Sequence, residues 1–178
     1  MIERSPLQVL TQLESTCIAH AAPLPQQKVI QEEWSGIGFR LGEIMLASAL
    51  GDVVEVLLPH AVSRIPRTKA WVNGVANVRG NLMTVIDLQS FLQGRPTRIT
   101  SASRLLVIQH KGLYTGLLVD AVLGLQHFTM DYRCDESPDE KYHLQPYLTQ
   151  AFRVGSEYWG VFSMRKLAEA PEFLQTAI

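Results

Sequence analysis

The residues able to do chemistry in this chain are five histidines, two cysteines, an acidic run and a few isolated carboxylates. His20, His60, His110, His127 and His143 are dispersed, and no two share the spacing that converges imidazoles on a metal ion. His60 follows Pro59 and His110 precedes a turn, which puts both in surface loops, whereas His127 is placed to face the core. Cys17 and Cys134 stand far apart in unlike surroundings, a usage that fits a reducing cytoplasm better than a disulfide framework. Asp131, Asp135, Glu136, Asp139 and Glu140 lack the loop spacing that sets oxygens around calcium, so they read as a solvated loop. Asp120 follows an apolar run where it could serve as a general base, and no nucleophile accompanies it. Gly36-Ile37-Gly38 opens like a dinucleotide fingerprint, but Leu41 stands where the next glycine belongs and no helix follows. The sequence has no phosphate loop, His-Glu-x-x-His, Cys-x-x-Cys or nucleophile elbow. It therefore offers no catalytic residue, no metal ligand and no cofactor site.

Two charges are better placed. Glu55 interrupts the apolar run Val53-Val54-Glu55-Val56-Leu57-Leu58, where a strand puts it on a half-buried surface. Arg79 sits in a glycine-bounded element between Gly74 and Gly80. A partly buried charge needs a partner, because its desolvation costs several kcal/mol. A purely structural ion pair and a recognition pair both satisfy that need.

The elements that must hold these residues are mostly strands. Ile37 to Leu41 and Ile44 to Ser48 alternate about Gly42-Glu43 and predict a hairpin. Leu105 to Ile108 turns at Lys111-Gly112 into Leu113 to Val119, and Ala121 to Phe128 is a further strand. Ala151 to Val154 turns at Gly155-Ser156 into Glu157 to Phe162. From Trp71 to Leu88 the chain concentrates its turn signals, including all three of its asparagines, Asn73, Asn77 and Asn81. Asn73-Gly74 and Gly80-Asn81 read as sharp turns, followed by a strand from Leu82 to Ile86. Asp87 then caps a short helix, with further helices expected at Thr68 to Asn73 and Ser163 to Ala170. Asp131 to Pro146 reads as a long loop. Gly94-Arg95-Pro96-Thr97 marks a break near residues 94–100 between two subdomains of about five strands each. Leu7, Leu10, Leu13 and Cys17 form a one-sided helical stripe, and Pro23 and Pro25 break it. Residues 1–30 are thus an amphipathic helix with a proline-containing linker, 31–170 the main domain, and 171–178 a tail. The stripe suits a helix packed on the body, or one that docks a partner.

Composition narrows the function. At 178 residues the chain can bury a core unaided, and its net charge of −1 comes from scattered charges. That argues against nucleic acid and anionic membranes, which need a concentrated basic footprint. The N-terminus lacks the apolar core of a signal peptide, and no uncharged apolar run approaches the roughly 18 residues of a membrane span. A cytoplasmic protein without direct membrane insertion is expected.

Val72, Gly74, Asn77, Arg79 and Gly80, followed by Val85-Ile86-Asp87-Leu88, resemble the signature of the CheW family of chemotaxis coupling proteins. The resemblance covers about residues 35–169 and is most like the PilI branch, which serves type IV pilus chemosensing and twitching motility. It implies a mainly β fold of two intertwined five-stranded SH3-like barrels with a few short helices. It implies a non-enzymatic adaptor between a methyl-accepting chemoreceptor tip and the regulatory domain of a CheA-like histidine kinase, in membrane-anchored receptor arrays. By the same resemblance Glu55 and Arg79 pair near a receptor groove formed by Val53, Gly74, Asn77, Val122 and Leu125. Departures include Thr84 where the family usually has proline, and Ala121 to Leu125 where it has Gly-Val-Ser-Asp-Val. The alternatives are a single-strand nucleic-acid binder using Trp34, Trp71, Trp159 and Tyr158, and a hydrolase resting on Asp120 and the histidines. The first wants a basic groove that the charge pattern lacks.

Overall fold

Apolar runs such as Leu105-Leu106-Val107-Ile108 are continuous because the strands carrying them are covered on both faces. The structure, a computed structural model, describes residues 5–20, 32–135 and 143–177. Contacts divide the chain into an N-terminal unit ending at Ile30 and a body beginning at Gln31. The N-terminal unit holds α1 (Pro6–His20), which starts with a proline, the residue best tolerated at a helix's first position. The linker assigned to Ala21 to Gln27 lies outside the described residues.

The body contains β1 (Glu33–Leu41), β2 (Ile44–Ala49), β3 (Glu55–Leu57), β4 (Val72–Val78), β5 (Asn81–Asp87) and α2 (Leu88–Gln93). It continues with β6 (Arg104–His110), β7 (Leu113–Val119), β8 (Ala121–Thr129), β9 (Arg133–Cys134), β10 (Leu148–Val154) and β11 (Glu157–Phe162). It ends with α3 (Met164–Glu169) and α4 (Pro171–Leu174). One sheet has the order β8-β1-β2-β11-β10-β9, the other β3-β6-β7-β5-β4. Each joins two antiparallel hairpins through one parallel pair, β2 with β11 and β5 with β7.

The main core includes Phe39, Leu46, Ile86, Leu106, Ile108, Leu117 and Phe162, drawn from both sheets. The alternate residues of the same strands turn the other way. Met83, Val85, Leu105, Val107 and Leu118 form a second cluster in the five-stranded sheet. Ala47, Phe128, Phe152, Trp159 and Val161 form a third in the six-stranded sheet. Period-two alternation thus feeds two cores from one apolar run.

Several expectations need correction. The chain enters the five-stranded sheet after β2 and leaves it after β7, so that sheet is inserted as one block between strands of the six-stranded sheet. Gly94 to Thr97 does not separate them, because β5 and β7 on its two sides pair with each other. Gly94 instead ends α2 in the left-handed conformation (φ 67°). The first sheet has six strands rather than five, because Arg133 and Cys134, assigned to a loop, pair with β10. Residues 136–142 of that loop lie outside the described residues. Thr68 to Asn73 is not a helix. Thr68 bridges Ala177, and Lys69 N–H donates to Thr176 C=O at 2.9 Å, so long-range pairing displaces a local helix. By the same contacts residues 171–177 are a docked segment rather than a free tail, with Phe173 buried among Trp71 and Phe91.

Candidate functional site

The segment with the densest turn chemistry builds a hairpin, in which Asn77 and Arg79 have identifiable roles. The turn of β4–β5 is Arg79-Gly80, one residue earlier than expected, with φ 53° and 86°. Positive φ at both central residues matches the right-handed twist of the flanking strands. Asn77 accepts the Gly80 N–H on Oδ1 at 2.9 Å and so fastens this turn. Asn73-Gly74 is no turn but a bulge inside β4, where the register shifts. Gly74 has φ 138°, and a Cβ there would run into the Ser63 carbonyl oxygen. The close approach exists because Ser63 crosses β4 and exchanges two backbone hydrogen bonds with Val75, at 2.8 and 2.9 Å.

β3 and β4 are the two ends of the five-stranded order, and Arg79 ties them together. Its Nη2 donates to Glu55 Oε1 at 2.6 Å. The Arg79 side chain is 76% exposed and that of Glu55 27%, so only the glutamate is partly buried, contrary to expectation. Water screens such a pair, whose worth is about 0.2–1 kcal/mol. Alternation along β3 turns Glu55 and Leu57 toward the second cluster, while Val56 lies on the opposite face and is exposed. Val54 and Leu58, flanking β3, are exposed too, at 59% and 62%. This apolar row is not singled out by the sequence analysis. Its signal was the period-two placement of Glu55, which marks Val54, Val56 and Leu58 as the other face.

The remaining groove candidates do not share one environment. Val53 is buried in the main core and Val122 packs against it. Gly74 lies beneath Ser63, whereas Asn77 and Leu125 are exposed.

Other candidate residues have structural partners. Asp120 accepts the Gly42 N–H on Oδ2 at 2.5 Å, pinning the β1–β2 turn, so it is occupied as a hydrogen-bond acceptor. His127 does not face the core; it is exposed, and its Nδ1 lies 2.8 Å from Ser35 Oγ across the β1–β8 pair. Trp34 packs on Phe128 and Phe152, Trp71 stacks on Phe173, and Trp159 is buried, so these rings are committed to packing rather than to a base-stacking platform. Among the described residues, no three His, Cys, Asp or Glu side chains are grouped to hold a metal ion. No described helix is long and apolar enough to cross a membrane.

His110 Nε2 and Lys111 Nζ, at the β6–β7 turn, both reach Glu169 Oε1 on α3, at 2.9 and 2.7 Å. Hydrogen bonds from Lys111 first and His110 second lower the Glu169 pKa to about 2, from 4.5. A depressed carboxylate stabilises the fold above its ordinary range, and that contribution fades as pH falls from 4.5 toward 2. Glu169→Gln is therefore expected to destabilise the protein at neutral pH and to match wild type in strong acid. Urea titrations across that pH window check this; a constant difference at every pH would contradict it.

A protein-family model described as the CheW-like domain matches residues 35–172, most of the chain. The chain belongs to the CheW-like family. Among its relatives is PilI of Pseudomonas aeruginosa, 38% identical over 175 residues, which cover 98% of both chains. FrzA of Myxococcus xanthus is 35% identical over 88 residues, 49% of this chain and 55% of that protein. The crystal structure of the CheW scaffolding protein of Thermoanaerobacter tengcongensis superposes with a TM-score of 0.63 at 23% identity. It covers 74% of this chain and 89% of that one, and shows that the CheW fold is shared. The signature residues of this CheW-like chain, Gly74, Asn77, Arg79 and Gly80, all serve the β4–β5 hairpin and its tie to Glu55. Family membership makes the chain a chemosensory adaptor of the coupling and scaffolding kind.

Proposed function

We propose that this adaptor couples a methyl-accepting chemoreceptor to a CheA-like histidine kinase, without catalysing a reaction itself, in the system that controls type IV pilus twitching. The observation that carries the reading is the similarity to PilI along 98% of both chains. The protein works in the cytoplasm, at arrays of membrane-anchored receptors. One face holds the kinase regulatory domain and the other the helical receptor tip. Bringing both together raises the effective concentration of each for the other, so weak pairwise contacts yield a stable array. An apolar groove is a natural receptacle for one face of a helix. The exposed row Val54, Val56 and Leu58 on the outer face of β3 is the apolar surface offered to such a helix, with Asn77 and Leu125 as further exposed candidates, whereas Val53, Gly74 and Val122 are buried or packed against the core.

The test is retention of this protein on the immobilised regulatory domain of the cognate kinase, and separately on receptor-tip peptide, in moderate salt. Binding of neither by the folded protein would overturn the reading. Arg79→Glu should cost no more than about 1 kcal/mol of stability, because the pair is exposed. The same change should abolish receptor retention. The double swap Glu55→Arg with Arg79→Glu restores the ion pair and should leave receptor retention lost. Recovery of retention by the swap would reduce Arg79 to a structural tie.

A further inference from the structure

We propose that the free edge of β8 pairs with the same edge of a second copy of this chain. β8 ends the six-stranded order and pairs only with β1 among the described residues. Met130 N–H donates to Glu32 C=O, and the register runs Trp34 with Phe128, Ser35 with His127 and Ile37 with Leu125. Antiparallel pairs alternate between bonded and non-bonded, so Gln126 and Phe128 spend their backbone groups on β1. The N–H and C=O of Leu125 and His127 then point away from the sheet, toward water. A bulge at Leu123-Gly124, where Gly124 has φ 81°, limits this regular edge to Leu125 to Thr129.

Exposed edges are usually protected by lysine, proline or an inward charge. From Ala121 to Thr129 the chain has no Asp, Glu, Lys, Arg or Pro. Only the bulge protects its first half. Leu123 and Leu125 are 38% and 52% exposed beside the open backbone.

The absence of charge selects the occupant. A strand that meets its own copy in antiparallel sense brings each side chain against another from the same short list, and a charged strand would repel itself. β8 can do this without juxtaposing like charges. A two-fold axis at Gln126 places Leu125 opposite His127 of the copy, and His127 opposite its Leu125. Every outward N–H and C=O of these two residues then finds a partner, and the joint is isologous and closed. The contact is small, so the pairing is weak and concentration-dependent. It covers Leu125, so self-association and receptor occupancy exclude each other; that consequence rests on the function proposed above, whereas the pairing does not.

Sedimentation equilibrium of the full chain tests the pairing. The weight-average mass should rise with concentration from 19.9 kDa toward twice that value. Leu125→Lys adds edge charge, and His127→Pro removes an outward N–H while sparing the β1 ladder. Each should weaken the dimer at least about tenfold, which corresponds to about 1.4 kcal/mol. On the wild-type chain, amide exchange at Leu125 and His127 should slow as concentration rises, while that at Gln126 and Phe128 stays slow throughout. A mass fixed at 19.9 kDa overturns the proposal, even if β8 takes a strand from another protein. So does a dimer that survives both variants, or one without concentration-dependent protection at Leu125 and His127.

Discussion

Phe173→Ala should lower the unfolding free energy by about 3–5 kcal/mol, the range for emptying a buried aromatic site. Phe173 is 1% exposed. Its ring stacks parallel to Trp71 with centroids 6.0 Å apart and meets Phe91 edge-on at 5.4 Å. Phe91 in turn lies 6.1 Å from Tyr147, so the ring belongs to a continuous aromatic cluster. α4 has only four residues, far too few to be helical on its own, so it depends on this anchor. Leu174→Ala is the control. Leu174 is adjacent but 54% exposed, and its loss should cost within about 0.5 kcal/mol. Urea midpoints of the two variants separate the cases. If residues 171–177 were a loose tail, both substitutions would be silent.

The contrast between this segment and the strands shows where sequence reading succeeds. Hairpins announce themselves through local chemistry. Gly112 carries φ 86° and Gly42 60°, so each turn has a glycine where the backbone needs positive φ. Asp87 and Ser163 likewise sit where helices begin, and each accepts a hydrogen bond from the third residue on. Residues 171–177 have no local signal. Their order comes from Phe91, Trp71 and Lys69, which lie 82, 102 and 107 residues from their partners Phe173, Phe173 and Thr176, and such pairing leaves no period to read. Thr68 to Asn73 fails for the reciprocal reason, because its partner is the chain's other end.

At the site the motif was legible and its mechanics were not. The spacing of Gly74, Asn77, Arg79 and Gly80 identified the family, yet an Asn-Gly pair can make a turn or a bulge with equal local ease. What decides is Ser63 crossing over Gly74, a contact between segments with no sequence mark. The exposure of Arg79 departs from expectation for a similar cause. Its place between glycines suggested enclosure, whereas a hairpin tip projects, and the side chain reaches back along the surface to Glu55.

Asp87→Asn removes one negative charge and almost no volume, and it should nevertheless cost about 2–4 kcal/mol. Asp87 is 3% exposed and fills both carboxylate oxygens. Oδ1 accepts the Ser90 N–H at 2.9 Å and the Thr97 hydroxyl at 2.7 Å, while Oδ2 accepts the Thr97 N–H at 2.7 Å. One carboxylate thus caps α2 and holds the strand end against the segment leaving that helix. An asparagine keeps a single acceptor oxygen and turns an NH2 group toward the buried Thr97 N–H, so two donors face each other. By comparison Ser163→Ala, which removes only one cap bond to Lys166 N–H, should cost about 1 kcal/mol. The decisive measurement is a double-mutant cycle with Thr97→Ala. Removing the Thr97 hydroxyl after Asp87 is already asparagine should cost less than removing it from wild type, with a coupling of at least about 0.5 kcal/mol. Strict additivity would mean that the Thr97 hydroxyl bond adds nothing to what Asp87 contributes through the helix cap and the Thr97 N–H.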